Sequence, residues 1–227
     1  MTPWTETLTG ETLLFTLLAK AFHATPDREW LDALAKGDLF AEAPFGGAQP
    51  ETEAGLTRLR AWSQANRGGI SEVALETLQA EYTRLFIGPG PVVAPPWESV
   101  YVSEERLLFQ RETFQVRAWY ARFELTVPNL HREPDDHIGL ELSFLSHLAT
   151  LALQAIQAHD QERFDEALEA QRRFAAEHVF RWGPGWCSRV DANSGSDFYR
   201  GLALVTRGAL SELSVQLAVP IPTQPGA

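Results

Sequence analysis

Sulfur is nearly missing from this chain: its 227 residues include one cysteine, Cys187, and one methionine. A lone cysteine permits no intramolecular disulfide and no cysteine-built zinc site, which suits a reducing compartment. Gly185-Trp186-Cys187-Ser188 fits no activated-nucleophile arrangement, so Cys187 reads as a buried or incidental thiol. Positive charge is also scarce, with 19 Lys and Arg against 30 Asp and Glu, a formal net charge of −11. Phosphate backbones are held by clustered cations, so nucleic acid is not expected as a partner. An acidic surface instead suits basic partners, cationic peptides among them. Unbroken apolar runs are short. The longest, Leu140–Ile156, is interrupted by Glu141, Ser143, Ser146, His147 and Gln154, the pattern of a buried or amphipathic helix rather than a membrane span. The opening MTPWTETLTGE has no cationic start and carries Glu6 and Glu11, unlike a secretory signal. These features together predict a cytoplasmic protein. There is no G-x-x-x-x-G-K-[ST] phosphate loop and no G-x-S-x-G nucleophile turn. No segment alternates convincingly at period two, and no repeat recurs at a fixed interval.

What is present is helical and aromatic. Hydrophobic residues make up 44% of the chain, with seven Trp and 13 Phe. Leu14, Leu17, Leu18, Ala21 and Phe22 share one helical face, in a helix opened by Thr9-Gly10-Glu11-Thr12 and ended by Pro26. A short helix is predicted over Arg28–Ala35, a loop over Ala43–Pro50, and a helix over Thr52–Asn66 with Leu56, Leu59 and Trp62 inward. Ser71 caps the next, whose apolar face is Leu75, Leu78, Tyr82, Leu85 and Phe86. Ser103, followed by Glu104 and Glu105, predicts a helix start running to about Phe123. A loop holding Pro128 and Asn129 follows. Pro134 fits a first helical position, with Asp135 and Asp136 favoured by the helix dipole, and the central core helix follows. Asp160–Phe180 reads as a charged helix interrupted at Pro184, and Asp197–Leu217 as the last. The expected architecture is all-α: one bundle of about eight to ten helices over residues 1–219, with a loose tail at 220–227.

Two stretches carry the chemistry. Tyr82–Tyr101 breaks off a helix at Gly88-Pro89-Gly90-Pro91 and then presents Pro95-Pro96-Trp97 on a stiff backbone. A rigid proline-rich loop with large aromatics suits either recognition or core filling. The second stretch, Glu133-Pro134-Asp135-Asp136-His137 with Glu141, places His137 and Glu141 at i and i+4. Capping, ligand recognition and metal binding all remain open for it. A metal-dependent enzyme or a nucleotide-binding regulator using Asp136, His137 and Glu141, with His147 as a further metal ligand, is the alternative to a binding protein.

The segments Glu81-Tyr82-x-Arg84-Leu85-Phe86-Ile87-Gly88-Pro89, Ala94-Pro95-Pro96-Trp97-x-Ser99-Val100-Tyr101 and Glu133-Pro134-Asp135-Asp136-His137-Ile138-Gly139-x-Glu141-Leu142 resemble the TorD/DmsD/NarJ family of redox-enzyme maturation chaperones, most closely its DmsD-like branch. His178-Val179-Phe180-x-Trp182 is similar to a late motif of that family, and the first 70 residues resemble it less. The resemblance implies an all-helical, non-enzymatic protein. It would bind the twin-arginine signal peptide of a molybdenum-containing oxidoreductase subunit and hold the apo form for cofactor insertion before export. It would have no resident cofactor, with weak guanine-nucleotide binding known in some members, and would be a monomer or a domain-swapped dimer. The signal-peptide residues it implies are Leu85, Phe86, Pro96, Trp97, Tyr101, Asp135, Asp136 and His137. Three departures stand out: Gly90 where close relatives often have tryptophan, Gln110 where glycine is usual, and Asp135 for the commoner glutamate. On this reading Leu85, Phe86 and Trp97 would offer the peptide's apolar stretch a groove. Asp136, with Asp135 beside it, would meet the arginines, and Trp97 and Asp136 would share one groove.

Overall fold

The structure, a computed structural model, describes residues 3–126 and 133–223. Ten α-helices are present among them: α1 (Pro3–His23), α2 (Arg28–Lys36), α3 (Pro50–Asn66), α4 (Glu72–Tyr82), α5 (Glu98–Val102), α6 (Arg111–Arg122), α7 (Ile138–Ala158), α8 (Gln161–Phe174), α9 (Phe180–Asn193) and α10 (Asp197–Gln216). Wider π turns, Thr83–Ile87 and Ala175–Val179, follow α4 and α8. The described residues form no strand, and a single antiparallel bridge joins Trp97 to His137. The all-α expectation holds. The loop predicted around Pro128 and Asn129, and the end of the tail from residue 224, lie outside the described residues.

The chain groups into two compact units. The first comprises the chain up to His23, Pro96–Gly183 and the stretch from Ser214 onward. Its axis is α7, which packs against α1 and α8. Leu142, Leu145, Leu148, Ala149 and Ala152 of α7 are fully buried, as are Leu8, Phe15, Leu18 and Phe22 of α1. By length and composition α7 alone among the described helices could cross a membrane, and 61% of its apolar window is buried inside the protein. Its hydrophobicity is thus accounted for by its central place in this core.

The second unit comprises Ala24–Pro95 and Pro184–Leu213. Here α3 and α10 approach closely at glycines. A Cβ on Gly55 would lie 2.6 Å from the Gly201 carbonyl oxygen, and one on Gly201 would lie 2.6 Å from Leu59 Cγ. Around them pack Leu56, Leu59, Trp62, Phe198 and Leu202. Ser71 caps α4 as the sequence predicts, accepting from the Ala74 N–H at 3.2 Å. The helix then widens into the π turn and stops at Gly88, whose φ of 104° is open to glycine at little cost.

Five points differ from expectation. Helix α1 begins at Pro3, well before Thr9. Ser103 ends a helix instead of starting one: its hydroxyl donates to the Ser99 carbonyl at 2.6 Å and accepts from the Arg106 N–H at 3.1 Å. Helix α6 begins only at Arg111. Helix α7 begins at Ile138, not Pro134, because the His137 side chain is its cap. Pro184 lies inside α9 without ending it. Its missing N–H falls in the first turn and a half, just after the π turn.

Candidate functional site

The two motif stretches meet in the first unit. Ile138 N–H donates to the Pro96 carbonyl at 2.8 Å, and Glu98 N–H donates to the Asp136 carbonyl at 2.9 Å. Proline at 95 and 96 keeps this segment extended, so it can pair edge to edge with residues 136–138. Trp97, half-buried, and His137 then face each other edge to face, ring centres 5.8 Å apart. Tyr101, on α5, stacks on Trp182 at 5.4 Å. Pro96, Trp97, Tyr101, Asp135, Asp136 and His137 are therefore held in one unit.

The carboxylates do not face a groove. Asp136 is completely buried, and its two oxygens accept from the Ser99 N–H and the Thr113 hydroxyl, each at 2.7 Å. It thus serves the N-terminus of α5 and ties that helix to α6, the anion placement a helix dipole favours. Asp135 is 1% exposed and takes a two-pronged ion pair from Arg117 of α6, at 2.6 Å from Nε and 2.5 Å from Nη2. The expectation that these acids stand ready for a peptide's arginines meets a fold that has already used both inwardly.

His137 is buried too. Its Nδ1 accepts the Gly139 N–H at 3.0 Å, and burial pushes its pKa down to about 3, so the ring is neutral. With Nδ1 an acceptor, the ring proton sits on Nε2. His23, Glu133 and His137 bring potential ligand atoms within 4.8 Å of one another. The His137 cap bond, however, leaves that ring no free lone pair for a metal ion. Glu141, fully buried, accepts from Trp182 Nε1 at 3.0 Å. Burial, then the charges of Glu98 and Asp136, hold its carboxyl well above the usual range. His147 lies against Phe123 and Phe144.

Leu85 and Phe86 belong to the second unit and are 0% and 1% exposed. Phe86 packs among Tyr82, Trp186 and Tyr199, and Leu85 accepts the Ala94 N–H at 2.8 Å. Glu81 of the same motif accepts from Ser194 Oγ, Gly195 N–H and Ser196 N–H, securing the turn before α10. As the protein stands, these are core and bracing residues.

Sequence reasoning missed several partners. Glu98 is fully buried and bonded to His178 Nδ1 at 2.7 Å, with Arg181 at 3.7 Å. Burial raises the Glu98 pKa, opposed by His178 and Arg181. Thr113 and Arg117 hold the two aspartates. Only the His178-Val179-Phe180-x-Trp182 stretch gave a hint of this in the sequence. A groove of about 590 Å³ opens beside this cluster, lined by Trp119, Arg122, Arg173, Glu177, His178 and Arg181 among others. Arg122 and Arg173 lie over the Trp119 ring at 5.5 and 5.3 Å.

Comparison with known proteins agrees with this framework. The Tat proofreading chaperone DmsD of Salmonella typhi is 29% identical over 150 residues, 66% of this chain and 67% of that one. The chaperone protein TorD of Vibrio cholerae is 31% identical over 118 residues, 51% of this chain and 52% of that one. The chain therefore spans about two thirds of the length of its DmsD relatives and half that of its TorD relatives. Both are named chaperones, in keeping with the non-enzymatic expectation. A solved Archaeoglobus fulgidus structure, described as a redox enzyme maturation protein, shares the fold: TM-score 0.50, 22% identity, 88% of this chain and 93% of that one. The model of the nitrate reductase delta subunit family matches residues 47–188, which takes in Tyr82–Tyr101 and Glu133–Glu141 alike, and the chain belongs to that family.

Proposed function

We propose that this protein is a cytoplasmic maturation chaperone. It binds the twin-arginine signal peptide of a molybdenum-containing oxidoreductase subunit and retains the apo-subunit until cofactor insertion, before export. The observation that carries this reading is the likeness to Tat proofreading chaperones across both motif stretches. The net charge of −11 adds to it, since the ligand's defining feature is a pair of fixed positive charges. Pro96, Trp97, Tyr101, Asp135, Asp136 and His137 act in this reading largely by shaping the surface the peptide meets, while Leu85 and Phe86 support the core of their own unit. Trp97 and Tyr101, the half-buried members, are the ones that touch it in this reading. The protein works as a monomer or a domain-swapped dimer and needs no resident cofactor. Any guanine-nucleotide binding is weak.

Calorimetric titration of a synthetic twin-arginine signal peptide into the full chain tests this, with a Lys-Lys peptide in parallel. The reading requires micromolar or tighter binding and a clear preference for arginine, whose planar fork makes paired bonds that an ammonium cannot. Equal binding of the two peptides removes arginine recognition. Guanine nucleotide in a third arm shows any linkage.

A further inference from the structure

The loop between α5 and α6 carries an unusual surface. Of the nine large hydrophobic residues exposed among the described residues, four fall between positions 107 and 114: Leu107 (59%), Leu108 (39%), Phe109 (40%) and Phe114 (56%). Monomeric proteins seldom leave such residues together in water without a use for them. The backbone enforces the exposure. Arg106 and Phe109 hold φ values of 54° and 59°, a left-handed conformation that costs non-glycine residues energy and that recurs at functional sites. Ser103 Oγ accepts the Arg106 N–H, and Gln110 Nε2 donates to the Leu108 carbonyl at 3.2 Å, so the loop is bonded in this form.

Both ends of the loop are fastened by one dipeptide. Asp136 holds α5 at Ser99 and α6 at Thr113, and Asp135 holds α6 at Arg117. Arg117 also lies over the Phe114 ring, 5.4 Å from its centre. Charge gives the loop a direction. Glu104 and Glu105 are exposed just ahead of the apolar residues, and Glu112 Oε2 is buried without a hydrogen-bond partner. At the surface Glu104 and Glu105 are matched in number by Arg106 and Arg111, Glu112 being buried, so it is the order of the charges, acids ahead of the apolar residues and Arg111 behind them, that gives the direction.

We propose that residues 103–114, the α5–α6 loop together with the first turn of α6, are the seat of the signal peptide. Leu107, Leu108, Phe109 and Phe114 take its apolar stretch, and Glu104 and Glu105 take its arginines. Asp135 and Asp136 are positioning residues that hold the seat open. This inference rests on the function proposed above. An apolar segment preceded by two cations matches a surface whose acids precede its hydrophobic residues, which is why the peptide is preferred here to a second copy of this acidic chain.

The test uses the full chain, with Leu107→Ser and Phe114→Ser combined, and separately Glu104→Gln and Glu105→Gln combined. Loss of two half-exposed apolar contacts weakens twin-arginine peptide binding by roughly tenfold. The glutamine pair narrows the gap between the Arg-Arg and Lys-Lys peptides. If the wild type binds no peptide, the proposed function fails and this inference with it. If the wild type binds and the serine variant binds equally well, the seat is wrong while the function stands. Light-scattering mass that falls from dimer to monomer in the serine variant, with binding kept, makes the patch a self-interface and also overturns the proposal. Should the serine variant misfold, a photo-crosslinker in the peptide's apolar stretch decides on the wild type: labelling at residues 103–114 supports the seat, and labelling elsewhere refutes it.

Discussion

Asp136 shows how a residue's meaning depends on partners far away in sequence. Beside Pro134 it looks like an acid at the start of the helix that follows. In the fold it serves the helix that began 38 residues earlier, through Ser99, and the next one through Thr113. Replacing it with alanine strands two buried donors, so Asp136→Ala should lower stability by about 2–4 kcal/mol, measured by urea unfolding. Any loss of peptide binding in that variant must then be read against the wild-type unfolding curve. Two buried groups set opposite pH trends. The His137 pKa is depressed to about 3 by burial, so its contribution is present above the ordinary histidine value of about 6.5 and is lost as pH falls from there towards 3. Glu11, buried against Gln171 and Gln216, has its pKa raised to about 8. The unfolded carboxyl ionises near 4.5, so stability drains as pH rises from there towards 8. Glu11→Gln should therefore stabilise the protein at pH 8 by a few kcal/mol, to order of magnitude, and have little effect at pH 4, as a pair of melting series would show.

At the scale of elements, apolar periodicity located most helices and missed their ends. The faces Leu56-Leu59-Trp62 and Leu75-Leu78-Tyr82-Leu85-Phe86 are buried as the spacing requires. Ser103 misled because a serine followed by two glutamates has the composition of a helix start, while its hydroxyl is committed to the preceding turn. Of the capping, ligand and metal readings open for the Glu133–Glu141 stretch, the fold gives His137 the capping one, at the start of α7. Both bonds are local, Ser103 to Ser99 and His137 to Gly139, but composition does not say which of several local partners a side chain takes. The glycines between α3 and α10 were equally silent. Gly201→Ala would place a methyl 2.6 Å from Leu59 Cγ and 2.9 Å from the Gly55 carbonyl oxygen. Overpacking of that kind should cost about 1–3 kcal/mol and lower the melting temperature without changing the helical circular dichroism at 20 °C or so.

For the molecule as a whole, the all-α class and the two motif stretches were open to reading from sequence, and the way those stretches work was not. Their aromatics and acids suggested a ligand surface. In the fold Leu85, Phe86, Asp135, Asp136 and His137 are interior, and the exposed apolar surface lies instead on the α5–α6 loop that the aspartates hold. Chemistry-bearing residues were found, and their direction was hidden, because direction is a property of packing. We propose that this loop receives a twin-arginine signal peptide. Amide hydrogen exchange of the full chain, with and without saturating peptide, tests it most directly. Among the described residues, Arg106 N–H to Ser103 Oγ is the one backbone N–H bond to a side chain found within 104–109, so a bound peptide should slow exchange there visibly. New protection centred on residues 103–114 is the expected result; protection confined to other segments, or none despite measured binding, would rule this loop out as the seat.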